Sequence, residues 1–237
     1  MIGILGGMGT QAGLDFCNKL TIINRGRTDQ KYPLFILYNK SNIPKRPENI
    51  KKFYNVLSSL VKGCRLLQKN KCKFIVMPCN TAHYWHEALQ KKIKIPILSM
   101  PQEVFIHTKK ICKKNSKIGI LSTEATLKTG IYGKYFDKYY KLINPTRSIQ
   151  INSVNKAIKF VKMGKVYEAE KAIRSAVRYL VKSKCKRIIL GCTELPIAIF
   201  AYKSFKKVKN SKLFIDPNLL LANVSMKKYK SKTPVLV

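Results

Sequence analysis

Two stretches of this chain occur twice, in the same order and at nearly the same separation. IGILGGMGT at residues 2–10 returns as IGILSTEAT at 118–126, 116 residues later. CKFIVMPCNTAH, from Cys72, returns as CKRIILGCTELP, from Cys185, 113 residues later. One match is within the reach of chance. Two in order imply an internal duplication with a small gap, so the chain must build one kind of unit twice.

Each half alternates short apolar runs with longer amphipathic ones. IGIL, YPLFILY, KFIVM and IPILS in the first half, and KIGIL, RSIQI, RIIL and KLFID in the second, read as strands. Their near-continuous hydrophobicity suits burial on both faces of a parallel sheet. Helical spacing of Ile50, Phe53, Val56, Leu57, Leu60, Val61 and Leu67 predicts a helix over residues 47–70. Ile158, Val161, Val166, Ile173, Val177 and Leu180 predict another over 157–182. Strands alternating with such helices form βαβ units with right-handed crossovers. The expected fold class is α/β: two pseudo-symmetric lobes, each a mainly parallel sheet flanked by helices, with the active site in the cleft between them. The lobes span residues 1–100 and 117–216, a helix near 101–114 joins them, and segment 217–229 packs back on the first.

Charge argues for a different class. The 237 residues carry 47 Lys+Arg against 11 Asp+Glu, a formal +36, which invites a basic nucleic-acid-binding protein as the alternative. Yet 39 of those cations are Lys and only 8 are Arg, and the Lys are scattered in ones and twos. Arg supplies the bidentate fork that phosphates and base edges favour, whereas Lys is a hydrated point charge. A solvated Lys-rich surface is the simpler reading, and nucleic acid is not the expected partner. With 46% hydrophobic residues the chain is no disordered polycation. Seven Cys, an odd number, and no apolar run near the ~20 residues of a membrane span point to a cytoplasmic protein with reduced thiols and no membrane partner.

The chemistry-bearing residues cluster where the repeats coincide. In an open parallel sheet, ligands sit beyond the carboxyl ends of the strands. Cys79 follows the strand FIVM and Cys192 follows IIL, each leading into a helix through Asn80-Thr81 or Thr193-Glu194. Backbone N–H groups at such entries favour a thiolate or a bound carboxylate. Met8, Gly9 and Gln11 lie on the first strand-to-helix loop, whose amides suit an α-carboxylate. Two thiols facing one carbon acid can take a proton from one side and return one on the other. Zinc is not expected, because Cys72/Cys79 and Cys185/Cys192 are seven apart and point to opposite faces of an extended strand. Gly7-x-Gly9-x-x-Ala12 fits a loose dinucleotide fingerprint, but LFILYNK ends without the ribose-binding acid.

PCNTAH at residues 78–83 and LGCTELP at 190–196, with GILGGMGT and LSTEATLKTGIY, resemble the aspartate/glutamate racemase family, in order and over nearly the whole chain. Gly6-Gly7-Met8-Gly9 and Cys192-Thr193-Glu194 are similar to its aspartate branch rather than to the Asp-Ser-Gly and Cys-Thr-His loops of the glutamate racemases of cell-wall synthesis. The resemblance implies a cofactor-independent racemase, usually a homodimer, interconverting L- and D-aspartate, with glutamate the alternative substrate. Cys79 and Cys192 would be its acid/base pair. Arg46 matches a substrate-binding Arg, and Lys162 a second cation. Thr123 and Thr126 lie in a turn where this chain has Ala125 and the family often has Gly. Glu194 has two readings, ammonium ligand or helix cap. His83 and His86 stand close enough in sequence to tune Cys79.

Overall fold

The computed structural model describes residues 1–24, 28–46, 52–200 and 212–231. The chain divides into two compact units, Met1–Glu103 with Asn218–Val237, and Val104–Pro217.

In the first unit, β1 (Ile2–Gly6), α1 (Thr10–Ile23), β2 (Phe35–Asn39), α2 (Phe53–Lys69) and β3 (Phe74–Val76) form a parallel sheet of order β2-β1-β3 with its crossover helices. The period of two along each strand sorts the core. Ile2, Ile4, Phe74 and Val76 pack with Phe16 and Leu20 of α1. Leu221, Ala222 and Met226, from the last helix, α11 (Pro217–Lys230), join that face. On the other face Leu5, Ile75 and Met77 meet Val56, Leu57, Leu60, Cys64 and Leu67 of α2. Each such side chain contributes roughly 1.5–3 kcal/mol by burial. Asn218 fixes α11 by donating to the Ala12 carbonyl at 3.2 Å and to Asp15 at 2.8 Å. The expected helix over 47–70 is observed from Phe53, and residues 47–51 lie outside the described part. A short α3 (His86–Gln90) precedes α4 (Met100–Ile111), which leads out of this unit.

The second unit runs β4 (Lys117–Ser122), α5 (Glu124–Lys128), α6 (Gly133–Phe136), β5 (Lys141–Ile143), α7 (Arg147–Ile149), a π-helical turn (Gln150–Asn155), α8 (Lys156–Lys162), α9 (Val166–Lys182), β6 (Arg187–Gly191), α10 (Leu195–Phe200) and β7 (Phe214–Ile215). Its sheet is again parallel, of order β5-β4-β6-β7. The first three positions repeat the order of the first unit, and the fourth has a counterpart there too. Ile75 forms a parallel bridge with Ile97, as Ile188 pairs with Phe214.

The duplication extends to the helix ends. α2 and α9 both stop at a lysine in the left-handed region, Lys71 (φ 58) and Lys184 (φ 61). In each case the next amide reaches back five residues in the same pattern, Cys72 N to Leu67 O at 3.3 Å and Cys185 N to Leu180 O at 3.1 Å. Glycine is the residue that this position favours. Lys184→Gly should therefore relieve about 1–2 kcal/mol of left-handed strain, partly offset by chain entropy of about 0.5–1 kcal/mol. A rise in the urea midpoint without a change in slope would show it.

Two expected elements differ. RSIQI is not a strand: β5 lies earlier, at Lys141–Ile143, and residues 147–155 are helical. Thr146 caps that helix, its hydroxyl accepting from Ile149 N at 3.4 Å, and five residues of Ile alternation do not outweigh a cap followed by a helical run. The single helix expected over 157–182 is two. α8 closes at Gly164 (φ 75), where Lys165 N donates to Phe160 O at 2.9 Å. That is a glycine-terminated helix end.

Candidate active site

In the first unit Cys79 lies just beyond β3, buried, with its amide donating to Met77 O at 2.7 Å. Asn80 and Thr81, both buried, open a turn of 3-10 helix (Thr81–Trp85). His83 closes this loop on itself. Its Nε2 accepts from Met100 N at 3.1 Å, which leaves the ring proton on Nδ1, and Nδ1 donates to the Cys79 carbonyl at 2.9 Å. The ring therefore grips the backbone of Cys79. His86 is bonded elsewhere, Nε2 lying 2.7 Å from Ile97 O.

Burial first, and His86 second, push the His83 imidazole down to about 4, so it stays neutral. Its unfolded value of 6.5 is the higher one. This contribution to stability is therefore complete above about pH 6.5 and is lost as pH falls through the folded value. The expected loss is roughly 3 kcal/mol. Thermal midpoints should drop over that window in the wild type and flatten in His83→Gln.

The β1–α1 loop carries Met8, Gly9 and Gln11. Gly9 is the residue preceding α1, in extended conformation, and Gly7 (φ 87) must be glycine, because a Cβ there would stand 2.3 Å from the Lys40 carbonyl carbon. Arg46 reaches this loop, its Nη2 donating to Met8 O at 2.8 Å while Nη1 approaches the Ile43 and Pro44 carbonyls. The structure thus brings Arg46 and Met8 together through the backbone, and Arg46 spends donors on positioning the loop. Gln11 is exposed at the start of α1.

In the second unit β6 ends at Gly191 and Cys192 follows, buried. Its Sγ donates to Glu194 Oε2 at 3.0 Å, and Thr193 Oγ1 donates to the same oxygen at 3.3 Å. Glu194 Oε1 faces Lys162 Nζ at 3.9 Å. Burial is the main force holding the Cys192 thiol well above its ordinary range. The Glu194 charge and hydrogen bond add to it, and Lys162 opposes. Cys192 rests as a thiol whose proton already points at a carboxylate.

The register Ser122↔Gly191 sets the β4 end beside Cys192. There Thr123 caps α5: its Oγ1 accepts from Thr126 N at 3.2 Å and lies 3.0 Å from Thr126 Oγ1. Ala125 is an ordinary residue within α5, and the turn closes without glycine. Two groups near Cys192 escape the sequence reading. Tyr132 is buried and its phenol is pushed strongly upward, by burial first and then by electrostatic interaction with Asp216 and Cys192. Asp216 is buried just past β7, the strand next to β6. A signal was available: among 11 acids, Glu194 and Asp216 both sit at apolar strand ends.

The site candidates thus fall into two sets: Met8, Gly9, Gln11, Arg46, Cys79, Asn80 and Thr81 in one unit, and Thr123, Thr126, Lys162, Cys192, Thr193 and Glu194 in the other. Two α/β units with parallel sheets of matching strand order, each with a buried thiol beyond its third strand, define a duplicated α/β protein with paired strand-end cysteines. Residues 5–224 match the Asp/Glu/Hydantoin racemase family, and the chain belongs to that family of isomerases.

The broad specificity amino-acid racemase RacX of Bacillus subtilis is 27% identical over 208 residues, covering 82% of this chain and 86% of that protein. A glutamate racemase of Carboxydothermus hydrogenoformans is 27% identical over 175 residues, covering 70% of this chain and 60% of the relative. Among solved structures, the aspartate racemase of Picrophilus torridus superposes with a TM-score of 0.80 at 29% identity, covering 96% of this chain and 93% of that one. An aspartate racemase homologue from Pyrococcus horikoshii, at 22% identity and a TM-score of 0.78, shares the fold over 97% of this chain and 99% of its own. Among the described residues no helix is long and apolar enough to cross a membrane.

Proposed function

We propose that this protein interconverts L- and D-aspartate, with glutamate the alternative substrate, by a two-base mechanism on Cys79 and Cys192 that needs no cofactor or metal. It would act as a cytoplasmic homodimer. The observation that carries this reading is the pair of buried thiols at equivalent strand ends in a member of a racemase family. The likeness to the Picrophilus aspartate racemase, and the aspartate-branch form of both loops, favour aspartate. The +36 charge gives the nucleic-acid alternative no further support once the family is known.

In this mechanism one thiolate removes the α-proton and the opposite thiol delivers one to the other face of the carbanion. Cys192 enters the cycle as the acid, since its proton is retained at rest. For the other enantiomer it must act as base. Glu194 then takes the Sγ proton along the existing 3.0 Å hydrogen bond, so that a neutral carboxyl and a thiolate replace a carboxylate and a thiol, with no net change in charge. Glu194 is on this reading a positioning residue for Cys192 rather than an ammonium ligand. Arg46, Lys162 and the loop amides bind the carboxylates. A coupled or polarimetric assay on L- and D-aspartate and glutamate tests the reading. Racemisation of none of them would overturn it.

A further inference from the structure

The π-helical turn Gln150–Asn155 holds a polar chain whose direction is fixed at both ends. Gln150 Nε2 donates to the Ser122 carbonyl at 2.9 Å and to Asn155 Oδ1 at 2.8 Å. Asn155 Nδ2 in turn donates to Glu124 Oε1 at 2.9 Å. A backbone carbonyl and a carboxylate can only accept, so neither amide can be flipped. Gln150 Oε1 is therefore an acceptor, and it is buried with no donor among the described residues; the residue is only 5% exposed. Such an orphan is costly to leave unmade, on the order of 1–3 kcal/mol. Inserted π turns recur at functional sites.

Its place is informative. Ser122 ends β4, next to Thr123, and pairs with Gly191, the residue before Cys192. The acceptor that sequence reasoning offered for a substrate ammonium, Glu194, is engaged by Cys192, Thr193 and Lys162. Resting on the racemase reading above, we infer that Gln150 Oε1 accepts an N–H from the substrate's α-ammonium, making Gln150 the residue that distinguishes an amino acid from the same carbon skeleton without its amine.

The test is calorimetric binding of aspartate and of succinate, its deaminated counterpart, to the wild type, Gln150→Met and Gln150→Glu. Gln150→Met neither donates nor accepts strongly and should weaken aspartate roughly 10- to 100-fold, the worth of a hydrogen bond to a charged group. Succinate should change less than about twofold, which a merely structural role would not produce. Gln150→Glu, as the protonated acid, can donate to the Ser122 carbonyl and keep its second oxygen as the acceptor, and should keep the preference. Should Gln150→Met not fold, the Gln150 side-chain amide resonance of the wild type should move with aspartate and stay with succinate. Equal weakening of both ligands, unchanged aspartate binding, or a resonance that follows both alike would overturn the inference. Binding of aspartate without turnover would instead overturn the racemase reading and leave this one standing.

Discussion

Cys79→Ala and Cys192→Ala are each expected to lower the racemisation rate by about 10²–10⁴-fold, the range that a positioned general acid or base contributes. The two losses should be similar, and each should strike both directions. Enantiomers have equal free energy in an achiral solvent, so the ratio of kcat/KM for L and D stays at unity in any variant. The double variant should be little worse than either single one, because two groups that act as a unit are not additive. Initial rates from each enantiomer, followed by circular dichroism, check all of this. Wild-type rates in either single variant would refute the pairing.

Glu194→Gln carries the second large effect. It removes the charge that opposes a thiolate at Cys192 but leaves the burial, so the thiol's proton affinity falls only part of the way back. Alkylation of Cys192 by iodoacetamide should therefore begin at lower pH in the variant than in the wild type, measured by mass spectrometry of the labelled peptide. Racemisation should fall about 10²-fold, because the acceptor for the Sγ proton is gone. A purely capping glutamate would lower stability and leave the alkylation profile in place.

The duplication made much of this architecture readable. Matched IGIL and Cys-loop segments fix two strands per half, and a strand buried on both faces announces itself by composition alone. The positions of Cys79 and Cys192 at strand ends follow from the same reading, since a loop after an apolar run has one place to go. RSIQI failed because period two over five residues is weak evidence, whereas Thr146 before a helical run is a local cap. Tyr132 and Asp216 were missed because their meaning depends on β7 lying beside β6, a tertiary fact. His83 shows the same limit. Proximity in sequence suggests a ring acting on the thiol, and the ring instead holds the Cys79 carbonyl. Gln150 lay inside the misread segment, and only the folded π turn aims its amide at the end of β4.

The central claim is that two thiols act from opposite faces of one carbon, and the fate of the α-proton tests it most directly. Racemisation of protiated L-aspartate in deuterium oxide should give D-aspartate carrying one deuterium at Cα. The L-aspartate remaining at early conversion should keep its protium, because the base that removes the proton is not the group that completes the product. The same should hold from D-aspartate. Product that retains the substrate's own proton, or label appearing in unreacted substrate as fast as in product, would mean a single base and would contradict the assignment of Cys79 and Cys192.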